Sequence, residues 1–421
     1  MKKKLNFLIS LLLIAVLSIG LFTVPASSYE NDVVTTSSAM LLMNMDTDTV
    51  CYSVEPDVKR YASYMSELVT FLVASERISS PDQTQVEVKQ SFINSLPRSD
   101  GSLEMFVDKA LTAKDLMGIM LMSSGSDAAY LLADTASGGD IAAFVEQMNR
   151  KVTQLGCVST QFVTPGYSES NEHFTTCRDL YLIYKALMKN ALFNEIMSSP
   201  TYTPAGFEEE DASADDSTAD VGRDYEITTE NSFMNPASPY YFRYANGGKY
   251  SYDATAKANI ATTTEYSGKT YLFIAMHGKN SSEENVFADA RRMTTWAYLN
   301  LADRKVIDTD DAIASCHVEA LWGGYEVSLY ARSSAYKTLP MEYDEEKFSY
   351  EISVPDRTAL PVFPGQSIGS AMIYYDGEKI DDVNLIASTG EGISLLNDLT
   401  RFGMYAVGEI LPGDSAASGE E

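Results

Sequence analysis

Residues 111–129 read LTAKDLMGIMLMSSGSDAA, an apolar run that ends in a short Ser-Gly-Ser segment. Within the run, Leu116, Ile119 and Met120 recur at the three-to-four-residue spacing of an amphipathic helix. Small polar residues follow at once, and they favour a turn. The stretch therefore predicts a helix that is buried on one face, followed by a turn.

Helical spacing recurs on both sides of this stretch. Apolar faces occur at 68–73 and at 180–187, and the second helix carries a start signal, because Thr176 and Asp179 stand at capping-box spacing. Strand-like apolar segments lie further out, at Ala39–Met43, Ala258–Thr264 and Tyr271–Met276. The order strand, helices, strands predicts an α/β domain from about 34 to 303, in which helices pack on a mixed sheet.

From about Val306 the apolar pattern changes to a period of two. Between 348 and 354, apolar side chains alternate with polar ones, as in a strand with one buried face. Gly323-Gly324 and Asp376-Gly377 have the composition of hairpin turns. These features predict a small β-rich domain over 306–390.

The chain ends in an acidic tail over 391–421. Apolar residues between Ile393 and Ile410 have amphipathic spacing, which predicts a short helix. Helices that lie on membrane surfaces are usually basic. With a single arginine, this helix is expected to pack on its own domain.

The first residues have the layout of a secretory signal. Three lysines at 2–4 precede an uncharged, mostly apolar run over 5–24, and small residues follow Pro25. The run is nearly long enough to serve as an uncleaved anchor, but its Ser, Gly and Pro residues suit a permanent membrane helix poorly. We expect residues 1–28 to be a cleaved signal peptide and the mature protein to be secreted or extracytoplasmic.

The formal net charge is −28, and removing the three lysines of the signal would take it to −31. Nucleic acid is excluded as a partner, because phosphate binding needs a basic surface. The acidity is interpreted as solubility outside the cell. One acidic stretch, 207–224, is padded with Ala and Ser and is expected to be a solvated loop.

The sequence has four cysteines and three histidines, which limit the disulfides and metal sites that the protein can form. The even cysteine count permits disulfides, but buried unpaired thiols are expected at Cys51, Cys157, Cys177 and Cys316. None of the cysteines has metal-ligand spacing, and the sequence has no His-Glu-x-x-His. We therefore expect no metal and no cofactor.

Several segments together resemble the penicillin-binding D-Ala-D-Ala carboxypeptidases. They are NMDTDTVCY at 44–52, KRY at 59–61, LTAKDL at 111–116, SGSDAA at 124–129, FVEQMN at 144–149 and LG at 155–156. The resemblance spans about 34–302, and 360–377 resembles the family's trailing β domain. It implies a transpeptidase or β-lactamase-like fold and, for intact members, removal of a terminal D-alanine from peptidoglycan stem peptides through an acyl-serine.

That chemistry uses Ser-x-x-Lys, Ser-x-Asn and Lys-Thr-Gly around one cleft. Serine and lysine three residues apart share one helix face, where a neutral amine can take the serine proton. Counting without gaps places Tyr64 at the family's serine position and Glu67 at its lysine position. A rival register makes Ser63 the nucleophile, but it shifts the helix by one residue and leaves Ser66 where the lysine should be.

The other two elements are partly retained. Ser124 stands at its family position, whereas Ser126 replaces the asparagine and lacks an amide's paired donor and acceptor. The third element aligns with Lys249, followed by Tyr250 and Ser251, whose bulk is expected to lie where substrate meets the strand. The ordinary alternative for the retained pair is a buried serine in a turn and a surface lysine.

Two other motif matches are interpreted as chance. Ser334 and Lys337 also form Ser-x-x-Lys, but in the period-two region rather than on a helix. The segment 365–369 reads Gly-Gln-Ser-Ile-Gly, as in the nucleophile elbow of α/β-hydrolases. That elbow needs a following helix and a later histidine, and every histidine here precedes Ser367.

Three hypotheses follow. The first is a pseudoenzyme that binds a wall peptide or a cell-envelope protein through the old cleft. The second is an active carboxypeptidase that uses Ser63 or Ser124 with Lys249 as base. The third is a structural surface protein with a filled cleft.

Overall fold

The computed structural model describes residues 33–205, 225–278, 283–320 and 323–388. The predicted signal peptide, the acidic loop at 207–224 and the tail at 391–421 lie outside the described residues. The described chain forms two compact units. The larger runs from 33 to 302 and includes 338–341, and the smaller comprises the rest of the chain from 303 onward.

The larger unit combines helices with a central sheet. Its strands are β1 (Ser37–Asn44), β2 (Thr49–Val54), β3 (Arg60–Tyr61), β4 (Gln85–Glu87), β5 (Ala110–Thr112), β6 (Phe174–Thr175), β7 (Thr201–Tyr202), β8 (Ile227–Thr228), β9 (Ala245–Asp253), β10 (Lys257–Tyr266) and β11 (Lys269–Gly278). Its helices are α1 (Glu67–Arg77), α2 (Gln90–Ile93), α3 (Ala113–Ser123), α4 (Ser126–Ser137), α5 (Ile141–Gln154), α6 (Cys177–Leu187), α7 (Ala191–Met197) and α8 (Glu283–Asn300). Single 3₁₀ turns occur at Ser63–Ser66 and Glu104–Phe106.

The predicted helices and strands are confirmed. Helices α1, α3 and α6 cover the three amphipathic stretches, and β1, β10 and β11 cover the three strand candidates. The Thr176 hydroxyl caps α6 by accepting from the Asp179 backbone N–H at 3.0 Å. The central sheet has the order β2-β1-β11-β10-β9. Its strand pairs are all antiparallel rather than mixed, because tight turns join β1 to β2 and β10 to β11.

The two faces of this sheet carry two separate cores. On one face, Leu41, Ala261 and Ile274 pack with residues of α1 and of α3 to α7. On the other, alternate residues of the same strands pack against α8. Strand β9 is the edge of the sheet, so its side chains also divide between the two faces.

The smaller unit is β-rich. Its strands are β12 (Leu301–Ile307, which starts in the larger unit), β13 (Ala312–Ala320), β14 (Gly323–Ala331), β15 (Ala335–Pro340, which ends in the larger unit), β16 (Phe348–Ser353), β17 (Arg357–Ala359), β18 (Ser367–Tyr375) and β19 (Glu378–Ala387). Six of them form a sheet of order β16-β18-β19-β14-β13-β17. Asp376 and Gly377 join β18 to β19 with φ of 53° and 79°, the left-handed conformation of the predicted hairpin turn.

Both chance motif matches begin just before a strand and run into it. Lys337 belongs to β15 and Ser367 opens β18, which leads directly into β19. Neither serine therefore has the helix that its motif requires.

The described ranges also bear on disulfides, metal binding and membrane-spanning helices. Cys51, Cys157, Cys177 and Cys316 are buried thiols. Within those ranges, no group of three His, Cys, Asp or Glu residues could hold a metal ion. No helix there is both long and apolar enough to span a bilayer.

The β-rich unit is expected to fold without the larger one. It has its own core, built around Val318, Leu329, Ala371 and Leu385. Residues 305–392 expressed alone should therefore show one cooperative transition on heating, followed by circular dichroism. A broad transition with dye-accessible apolar surface would contradict this boundary.

Candidate functional site

Ser124 lies in the turn between two helices of the larger unit. It closes α3 in the left-handed conformation, with φ of 52°, and α4 starts two residues later. A left-handed non-glycine residue is strained, so surrounding contacts must hold it. Its Oγ donates to Glu230 Oε2 at 2.6 Å and lies 3.5 Å from Lys249 Nζ. The predicted turn position is therefore correct, and the hydroxyl joins a polar cluster.

Lys249 enters the same cluster from the edge strand β9. The residue is 1% exposed, so the alternative of a surface lysine is wrong. The ammonium donates to the carbonyls of Met120 and Leu121, at 3.3 and 3.2 Å, at the C-terminal end of α3. Such carbonyls carry the negative end of the helix dipole, which favours a cation.

The main partner of Lys249 is Glu67, the first residue of α1. Glu67 Oε2 lies 2.8 Å from Lys249 Nζ, and both side chains are fully buried. Burial raises the pKa of Glu67 to about 8, although the charge of Lys249 pulls this pKa down. The loss of hydration therefore outweighs the attraction of the lysine.

This shifted pKa predicts a pH dependence of stability. An exposed glutamate titrates near 4.3, so between about pH 4.5 and 8 the folded state holds a proton at Glu67 that the unfolded state has released. The free energy of unfolding should therefore fall as pH rises through this window, by up to about 1.4 kcal/mol per pH unit from this group. Glu67→Gln should remove that slope in urea unfolding at pH 5, 6, 7 and 8. Exposed Glu172→Gln is the matched control. Parallel profiles for wild type and Glu67→Gln would contradict the assignment.

Tyr64 faces a cavity beside the polar cluster. It lies in the 3₁₀ turn before α1, and its ring packs on that of Tyr167 with centroids 4.9 Å apart and planes at 30°. The cavity has a volume of about 290 Å³. Burial and the nearby Asp100 carboxylate raise the pKa of the Tyr64 phenol well above its usual range. Its side chain is therefore a neutral aromatic wall of the cavity.

Ser126 also lines this cavity, as the first residue of α4. Its backbone N–H donates to the Asp100 carboxylate, and its Oγ accepts from the Tyr167 N–H at 3.1 Å. The Ser126 hydroxyl thus holds the segment that carries Tyr167.

The rival nucleophile Ser63 is engaged elsewhere. Its hydroxyl donates to the Asp253 carboxylate at the far end of β9. Its backbone, left-handed with φ of 51°, is held by His173, whose Nε2 lies 3.2 Å from the Ser63 carbonyl oxygen. His173 Nδ1 accepts from the Val163 N–H, so Nε2 carries the proton, and burial lowers the pKa of His173 to about 4. In the described residues, no hydrogen bond joins the Ser63 hydroxyl to the Lys249 cluster.

The structure corrects the expected position of the Tyr250 side chain. Its ring was expected on the substrate side of β9, but it lies on the opposite face, against Phe287 with centroids 4.9 Å apart. The reason is strand alternation, which turns residue 250 away from the face that carries Lys249. Ser251 returns to the Lys249 face, where it is fully buried and its Oγ has no hydrogen-bond partner among the described residues.

Two family models match the chain. The D-alanyl-D-alanine carboxypeptidase model matches residues 26–280. The chain belongs to this family. Residues 303–390 match the C-terminal domain of penicillin-binding protein 5. The resemblance inferred from the sequence motifs is thereby confirmed.

Individual relatives are distant but cover most of the chain. The D-alanyl-D-alanine carboxypeptidase DacA of Haemophilus influenzae is 21% identical over 88% of this chain and 87% of its own length. DacF of Bacillus subtilis is 20% identical over 82% of this chain and 83% of its own. The crystal structure of penicillin-binding protein 5 from H. influenzae aligns with a TM-score of 0.66 at 19% identity, over 86% of this chain and 99% of that one. The predicted fold class, an α/β transpeptidase-like domain followed by a β-rich domain, is confirmed.

The catalytic positions remain predictions made by counting from the family motifs. The structure brings Glu67, Ser124 and Lys249 into one cluster. It places Tyr64 and Ser126 on the neighbouring cavity, whereas Ser63 hydrogen-bonds to Asp253, outside that cluster.

Several residues of the site were missed by the sequence analysis. Glu230 accepts from Ser124, and Asp100 holds the start of α4. Both lie in irregular segments with no hydrophobic period, so nothing in their spacing relates them to the motifs. His173 had a weak signal, as one of three histidines in the chain, but its role depends on a contact 110 residues away.

Proposed function

We propose that this protein is a catalytically inactive member of the D-alanyl-D-alanine carboxypeptidase family that is exported and binds a wall peptide through the cavity beside Tyr64. Family membership and carboxypeptidase relatives support a cell-wall role. The loss of chemistry is argued from the residues at the family's nucleophile and base positions.

The observation that carries the proposal is the buried Glu67–Lys249 pair. Acyl transfer by this family needs a hydroxyl activated by an unprotonated amine. Here the carboxyl group of Glu67 stands where the resemblance places that amine, and its Oε2 lies 2.8 Å from Lys249 Nζ. Lys249 Nζ is itself engaged by Glu67 and by the carbonyls of Met120 and Leu121, so these contacts occupy the one amine of the cluster.

Tyr64 does not replace the missing serine. A phenol attacks only as phenolate, and burial together with nearby carboxylates disfavours that anion. Burial raises the pKa of Glu67 to about 8, so at neutral pH its carboxyl is mostly protonated and cannot take the proton of a nucleophile.

A second candidate function rests on Ser124. Its hydroxyl donates to Glu230 at 2.6 Å and lies 3.5 Å from Lys249, which resembles a serine beside a proton acceptor and a stabilising cation. This contact favours a rearranged active carboxypeptidase over one that uses Ser63. Against it, Ser124 is only 6% exposed, which leaves little room for a substrate carbonyl.

The test measures turnover and binding on the same protein. D-alanine release from a D-Ala-D-Ala peptide should stay at the buffer level, while calorimetry detects binding of that peptide or of muropeptides. Release that Ser124→Ala abolishes would establish the rearranged enzyme. Absence of both release and binding would favour the structural protein with a filled cleft.

A further inference from the structure

The cavity beside Tyr64 has the composition of a site for a cation. Its walls include the packed rings of Tyr64 and Tyr167, and its rim carries the carboxylates of Asp100 and Glu169. Aromatic faces attract ammonium and guanidinium groups, and neighbouring carboxylates strengthen that attraction. Burial, the hydrogen bond to Glu169 and the charge of Asp253 raise the pKa of the Tyr167 phenol to about 12. This shift reflects the negative charge around the cavity.

A cation from the chain itself already occupies this position. The Arg98 guanidinium lies 4.6 Å from the Tyr167 ring centroid, and its Nη1 is 3.1 Å from Glu169 Oε1. The Tyr167 hydroxyl donates to the same Glu169 oxygen at 2.9 Å. The Arg98 side chain is 61% exposed, so displacing it uncovers little apolar surface. The contact therefore shows that a cationic group fits this position. An exposed ion pair of this kind is weak enough for the cation of a ligand to replace it.

An anionic ligand has no comparable partner here. Among the described residues that line the cavity, Arg98 is the single cation, and Glu169 already neutralises it. Lys249, the cation of the neighbouring polar cluster, is fully buried against Glu67. The terminal carboxylate of a D-Ala-D-Ala peptide would meet uncompensated negative charge from Asp100.

We propose that the cavity recognises the side-chain amine of a wall peptide, whose ammonium replaces the Arg98 guanidinium against Tyr167 and Glu169. This inference rests on the proposed function, and it names the group by which the ligand is held. The C-terminal carboxylate of the peptide contributes little to binding. The protein thus binds a side chain of the stem peptide, not the C-terminal end that a carboxypeptidase cleaves.

The experiment uses four forms of Nα-acetyl-L-lysyl-D-alanyl-D-alanine, with the ε-amine free or acetylated and the C-terminus as carboxylate or amide. Calorimetry on the full chain should show that ε-acetylation weakens binding about tenfold, whereas amidation leaves it unchanged or stronger. Equal affinity of the free and acetylated amines, or loss of binding on amidation, would overturn the inference while leaving peptide binding intact. If none of the four binds, the proposed function fails with it.

Arg98→Ala should change the binding affinity in opposite directions, depending on whether the cavity binds the ammonium or the carboxylate of the peptide. If Arg98 competes with the ligand's ammonium, removing it should tighten binding of the free-amine peptide severalfold. If Arg98 instead holds a carboxylate, removing it should weaken binding. Glu169→Gln should weaken binding of the free-amine peptide about tenfold, and exposed Glu172→Gln serves as the control that should not change it. An unchanged melting temperature in each variant shows that the fold is intact.

Discussion

Lys249→Met is expected to lower the free energy of unfolding by about 3–5 kcal/mol. Methionine fills the space of the lysine stem, so the main loss is the charge that faces Glu67 at 2.8 Å. The carboxyl of Glu67 would then remain fully buried with no cation, and its desolvation would be uncompensated. Urea unfolding at pH 9, above the pKa of about 8 that Glu67 has in the folded protein, measures the change. Lys89→Met is the control, because Lys89 forms an exposed pair with Glu87 whose loss should cost about 0–1 kcal/mol.

The same pair gives a double-mutant test. Glu67→Met with Lys249→Met removes both charges, so the double variant should be more stable than Lys249→Met alone. Destabilisations that simply add would show that the two side chains do not interact in the folded protein.

The second large effect concerns catalysis. A variant carrying Tyr64→Ser, Glu67→Lys, Ser126→Asn and Ser251→Gly is expected to be labelled slowly by a fluorescent penicillin. It restores a hydroxyl and an amine one helical turn apart, and the new amine would lie in the cluster that already holds Lys249. Tyr250 is left unchanged, because its ring packs behind the sheet and truncating it would cost core packing.

The matched control carries the same changes but keeps Glu67. Losing a catalytic base costs several powers of ten in rate, so this control should show no labelling. Equal labelling of both variants would show that residue 67 is not the base position. No labelling of either would weaken the view that the cleft keeps the family geometry.

Much of the fold follows from local pattern. The 3.6-residue period at 68–73 and the capping signal at Thr176 depend on neighbours in sequence, and both appear in the structure as predicted. The change to period two after Val306 likewise marks the β-rich unit. The expected mixture of strand directions in the central sheet differs from the all-antiparallel pairing observed, because strand direction depends on how distant segments pair.

The site was less accessible to sequence reasoning. Ser124, Lys249 and Glu67 were found by motif spacing, but their contact spans more than a hundred residues and needs the fold. The side of the strand on which Tyr250 lies could have been read from alternation with Lys249. Glu230 had no such signal, since its contacts with Ser124 and the Met122 carbonyl join segments more than a hundred residues apart.

The central claim, that acyl transfer has been lost, is tested most directly by the intact mass of the full chain after incubation with a penicillin. An active family member treated in parallel shows that the reagent acylates. The mass of this protein is expected to stay unchanged, because counting from the family motifs predicts Tyr64 and Glu67 at the positions of the serine and the lysine. An increase by one penicillin would contradict the account, and its loss in Ser124→Ala or in Ser63→Ala would identify the nucleophile.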